Sequence, residues 1–79
     1  MQRITATRRY NTVILSTTTS AHRYNRDLLL AAMVHTYDHP GDLNAVADKL
    51  TAGGYGIDYS TALDYATAGR ECVTQQIEP

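Results

Sequence analysis

Apolar and polar positions repeat with a period of two at the start of this chain and with periods of three and four in its middle. Residues 2–9 (QRITATRR) alternate, with Ile4, Ala6 and Arg8 on one side and Arg3, Thr5, Thr7 and Arg9 on the other. Residues 12–19 (TVILSTTT) open β-branched and apolar. Both segments read as strands by period and by propensity. Tyr10-Asn11 lies between them, and Asn tolerates the positive φ that a tight turn demands. A β-hairpin is the expected structure, with one long bent strand as the fallback.

Helical spacing takes over after Ser20, which stands where an N-cap belongs; Asn25 is a second cap, able to accept from the amide of Asp27 or Leu28. Tyr24, Leu28, Ala31, Ala32 and His35 form one face and Leu30, Val34 and Tyr37 the next, so this first helix is expected to be the most buried element. His39-Pro40-Gly41 ends it. Asp42 then caps a second helix, in which Leu43, Val46, Ala47 and Leu50 recur at i, i+3, i+4 and i+7, and Gly53 fits the left-handed position just past its end. Asp58 or Ser60 opens a shorter third helix through Thr61, Ala62, Leu63, Tyr65 and Ala66, with Gly69 as its stop. The tail ECVTQQIEP alternates Val73, Gln75, Ile77 and reads as a third strand in preference to a continued helix. The expected fold is α+β with the order ββαααβ: an antiparallel hairpin, two or three helices and a C-terminal strand, all in one compact domain spanning residues 1–79.

Composition narrows what such a domain can hold. At 79 residues a single core is small, and a deep substrate cavity is not expected. Phe and Trp are absent, which leaves six Tyr as the aromatic volume, and each buried Tyr needs a partner for its hydroxyl. Cys72, the single cysteine, excludes an internal disulfide and a multi-cysteine metal site. No apolar signal region follows the N-terminal charges and no run approaches a membrane span, so the expectation is a soluble, cytoplasmic protein with no membrane contact.

The net charge of −1 conceals a division. Residues 1–26 carry Arg3, Arg8, Arg9, Arg23 and Arg26 and no acid, whereas residues 27–79 carry Lys49 and Arg70 against eight carboxylates. Such asymmetry bears on partners and encounter rather than on fold.

Candidate chemistries are few. His35 and His39 stand four apart, the spacing that aims two imidazoles at one metal, but Pro40 takes His39 off the helix and no HExxH pattern surrounds them. Cys72 and the Ser and Thr residues near acids lack any nucleophile signature. Gly53-Gly54-Tyr55-Gly56 follows a helix and lacks the lysine and hydroxyl of a phosphate loop, so a connection presenting Tyr55 and Tyr59 is the better reading. No cofactor, metal or catalytic residue is expected. As a helix-turn-helix, the second and third helices have too long a linker and place Asp64 where phosphates would lie.

What remains is binding. Tyr and Arg are the residues most enriched at interface hot spots, and the partner-binding candidates are Arg8, Arg9, Tyr10 and Arg23 on the hairpin side, with Tyr55, Asp58 and Tyr59 on the acidic side. The expected function is a non-catalytic protein-binding module, a stoichiometric inhibitor or adaptor of a larger protein, nucleic-acid-handling complexes included. Small accessory and anti-defence proteins encoded by phages and mobile elements, such as inhibitors of CRISPR effectors, are of this type; that placement rests on size and lack of motif alone. The alternative is a small nucleic-acid-binding protein using the basic N-terminal segment or the helix pair. An open sheet edge would also permit a homodimer.

Overall fold

The computed structural model describes residues 3–77. Gln2 of the expected first strand and Glu78 and Pro79 of the expected last one lie outside the described residues. Six elements follow one another: β1 (Thr5–Arg9), β2 (Thr12–Ser16), β3 (Ala21–Asn25), α1 (Arg26–Asp38), α2 (Leu43–Ala52) and α3 (Tyr59–Gln75). The strands form one antiparallel sheet in the order β1-β2-β3, and the expected α+β class holds.

The hairpin is present, but Tyr10 takes the positive φ (54°) in place of Asn11. The second segment ends as a strand at Ser16, because Thr17–Ser20 closes a further turn: the Thr17 amide donates to the Ser20 carbonyl at 2.7 Å and the Ser20 amide to Thr17 Oγ1 at 3.1 Å. Ser20 therefore closes a hairpin and caps no helix. Residues 21–25 pair with β2 as a third strand where a helix was expected, since β2 offers them a ready ladder and Tyr24 an inward side chain to bury. The second cap is the one used. Asn25 Oδ1 accepts from the Leu28 amide at 3.1 Å and starts α1.

Two core clusters share α1 and α3. One lies under the sheet and joins Val13, Leu15 and Tyr24 to Leu29, Ala68 and Cys72; the other joins Ala32 to Val46, Ala47, Leu50, Ala62 and Ala66. Tyr65 packs against both, with its ring edge-on to Tyr24 at a centroid distance of 5.1 Å and an interplanar angle of 80°. α1 is not buried all round: Leu29, Ala32 and Thr36 are, but Val34 and Tyr37 stand 58% and 68% exposed, because helices cover only one of its apolar faces.

α3 is the longest element, and it replaces two expectations. It runs through Gly69 to Gln75, so the described part of the tail forms no strand; Ala68 and Cys72, four apart, keep facing the sheet-side cluster. Gln76 ends the helix with a left-handed φ of 56°. Gly69 is a point of closest approach, where a Cβ would stand 2.8 Å from the Ala32 Cβ. The cap is Asp58 and not Ser60, and at the end of α2 the left-handed residue is Gly54 (φ 78°), one later than expected.

Candidate binding surface on the sheet

Strand register decides which side chains meet. Thr7, Ile14 and Arg23 form one cross-strand row and Arg9, Thr12 and Asn25 the next. Side chains alternate across a strand, and Val13, Leu15 and Tyr24 point into the core, so these two rows occupy the opposite, outer face. Arg9, Tyr10, Thr12, Ile14 and Arg23 enclose a hollow of about 290 Å³ there. Ile14 is a half-buried apolar floor, Thr12 supplies a hydroxyl, and the two guanidiniums come from the two edge strands on either side of β2. Among the described residues no carboxylate pairs with Arg9 or Arg23. Tyr10 stands at the hairpin tip, 97% exposed, in a backbone conformation that bulky residues seldom adopt.

Of the seven candidate residues, the fold brings Arg9, Tyr10 and Arg23 together. Arg8 falls opposite Val13 in the register and so belongs to the inner side of β1. Tyr55, Asp58 and Tyr59 lie in or beside the α2–α3 connection, and none lines the hollow. Each makes contacts within the chain. The Tyr59 hydroxyl donates to Asn44 Oδ1 at 2.9 Å, the Tyr55 ring lies over Gly53, and Asp58 Oδ1 accepts from the Thr61 amide at 2.8 Å. That bond to the Thr61 backbone is the main reason the Asp58 carboxyl sits below its ordinary pKa. Thr12 and Ile14 also line the hollow; the alternation of β2 marks both as facing away from Val13 and Leu15 and is the signal that would have found them.

A larger and more open depression of about 350 Å³ runs along α3 past Ser60, Thr61, Leu63, Asp64 and Thr67. It holds one carboxylate and no histidine, lysine or arginine, and the Thr67 hydroxyl is already spent on the Leu63 carbonyl at 2.9 Å. We give it no chemical role, since a nucleophile or acid–base pair needs a second group within hydrogen-bond reach.

Cys72 and Tyr24 are held in the core. Cys72 is fully buried, and burial first, then the nearby Glu71 charge, raises its thiol pKa and keeps it protonated. Burial likewise leads in raising Tyr24, followed by Asp64 and Tyr65. His39 has left the helix, its amide donating to the His35 carbonyl at 2.9 Å. Among the described residues no three His, Cys, Asp or Glu side chains converge as metal ligands would, and no helix is long and apolar enough to cross a membrane. Comparison with protein-family models, curated proteins and solved structures found no match to this chain.

Proposed function

We propose that this protein is a non-catalytic binding module whose outer sheet face occupies an acidic surface of a larger protein, acting as a stoichiometric inhibitor or adaptor. The observation that carries the reading is the hollow, where Arg9 and Arg23, with no carboxylate partner among the described residues, flank an apolar floor beside an exposed Tyr10. Arginine, tyrosine and a central apolar patch are what protein interfaces concentrate at their energetic centres. Ion pairs left unmade among the described residues are available to a partner, and they steer encounter as well as hold it.

The charge division supports a protein partner over a nucleic acid. Residues 27–79 hold eight acids against two cations, so beyond the basic segment the chain offers a phosphate backbone few further contacts. Nucleic acid is the second reading, because arginines and an aromatic ring on an open sheet face also suit a single strand. The test is the double variant Arg9→Glu/Arg23→Glu, compared with Asp38→Lys/Asp48→Lys on α1 and α2, in affinity capture from a nuclease-treated lysate at low salt. The reading requires that a partner captured by the wild type be lost only with the first variant. Equal capture by the Arg9/Arg23 variant would refute it.

A further inference from the structure

The hydrogen-bond parity of the sheet shows where its edges are open. The Arg26 amide donates to the Asn11 carbonyl at 2.6 Å and the Thr17 amide to the Ser20 carbonyl at 2.7 Å, continuing the β2–β3 register at its two ends. Bonded pairs alternate with unbonded ones in an antiparallel ladder, so Tyr24 and His22 bond to β2, while Ala21, Arg23 and Asn25 turn their N–H and C=O groups away from it. The Asn25 amide confirms this parity, since it donates outward to the Tyr65 hydroxyl at 2.7 Å. On the other side of the sheet the Ile4 amide donates to Gln75 Oε1 at 3.1 Å. α3 thus stoppers one end of each edge and leaves the rest of each strand.

The two remaining edges differ. β1 carries Arg8 and Arg9 in succession, one toward each face of the sheet, and a charge on the inward side is a common protection against edge pairing. β3 carries one cation, Arg23, on the outer face, and Ala21, His22 and Arg23 are all exposed. No described residue bonds to the outward backbone groups of Ala21 and Arg23.

We propose that the β3 edge receives an extended acidic segment of the partner protein, which pairs with Ala21 and Arg23 as a fourth strand and sets a carboxylate beside Arg23. This inference rests on the protein-binding reading and adds the mode and chemistry of recognition. Charge selects the occupant. In antiparallel pairing of β3 with a second copy, centred on His22, each Arg23 would face Ala21 of the other chain with the second Arg23 diagonal on the same face, and centring on Arg23 sets the two cations side by side. An acidic strand turns that repulsion into attraction and continues onto the Arg9–Arg23 hollow through its outer-face side chains.

The test is titration of isotope-labelled protein with a short capped peptide of alternating glutamate and valine, followed by amide shifts and hydrogen exchange. The expected result is slowed exchange and shifted resonances at Ala21 and Arg23, with no response to a lysine–valine peptide. Ala21→Pro removes an outward amide without breaking the ladder, and should weaken the peptide by about tenfold while an unchanged circular dichroism spectrum shows the fold retained. If peptide contacts appear only at Arg9, Thr12 and Ile14, with Ala21→Pro binding equally well, edge pairing is wrong and the protein-binding reading stands. Absence of any peptide effect at Ala21 and Arg23 overturns the inference; absence together with shifts on the outer face from a thymidine oligonucleotide overturns the protein-binding reading as well.

Discussion

Replacing Gly69 by alanine separates two physical effects of opposite sign. Within α3 alone, Gly→Ala is favourable by about 1 kcal/mol, because glycine loses more backbone freedom on folding. In this fold the added methyl would lie 2.8 Å from the Ala32 Cβ, 3.0 Å from the Ala32 carbonyl carbon and 3.1 Å from the Met33 amide nitrogen. Two of the three neighbours are backbone, so no side-chain rotation relieves the overlap, and α1 and α3 must separate. Overpacking of this kind costs about 1–3 kcal/mol, occasionally more. Because backbone is involved we take the upper half of that range, which leaves a net destabilisation of about 1–2 kcal/mol after the propensity gain. For a domain this small that lowers the melting temperature by about 4–8 °C per kcal/mol. The assay is thermal and urea unfolding of wild type, Gly69→Ala, Ala32→Gly and the double variant. Ala32→Gly removes the nearest of the three contacts and leaves the two backbone ones, so the double variant should recover part of the loss and be more stable than the sum of the single effects requires, by about 0.5 kcal/mol or more. A Gly69→Ala protein stabilised by about 1 kcal/mol, as propensity alone dictates, would refute the close approach of the two helices.

Three further outcomes are expected. Asn25→Ala removes the cap of α1 and should cost about 1 kcal/mol by urea unfolding, whereas Ser20→Ala, which touches only a turn, should cost less. Asp58 has a lowered folded pKa, so its contribution to α3 is present above the unfolded carboxylate value of about 4 and is lost as pH falls through the folded value; Asp58→Asn should flatten the acid limb of a stability-versus-pH curve. Cys72, buried with a raised thiol pKa, should resist a thiol reagent at neutral pH in the native protein and react at once in denaturant, and native reactivity at the free-thiol rate would contradict its placement.

Local signals accounted for the hairpin, α2 and the acidic caps, where a single side chain or a clean i, i+3, i+4 repeat decides the outcome. They failed where tertiary contact decides. AHRYN has little strand propensity and follows a serine that imitates an N-cap, yet β2 offers it a ladder and the core accepts Tyr24. Gly69 reads as a helix stop, and its reason for standing mid-helix is Ala32, thirty-seven positions earlier. The tail alternates like a strand, but Ala68 and Cys72 at helical spacing win because the inner face of the sheet is there to be covered. The wide apolar arc of α1 overstated its burial because periodicity counts faces and not the neighbours available to cover them. The candidate binding residues followed the same division. Arg9, Tyr10 and Arg23 stand out by type, and alternation along the first strand already separates Arg8 from Arg9, but only a three-stranded register puts Arg23 on the face of Arg9. Tyr55, Asp58 and Tyr59 stood out for the same reason of type, and their contacts are with Gly53, with Thr61 of α3 and with Asn44 of α2.

The most direct test of binding through the basic sheet face is capture by the tagged protein from parallel nuclease-treated and untreated lysates, read by mass spectrometry, with the Arg9→Glu/Arg23→Glu variant alongside. One protein recovered in stoichiometric amount from both lysates, and lost with the variant, is the expected result. Partners that appear only in the untreated lysate, or that the variant retains, would contradict it.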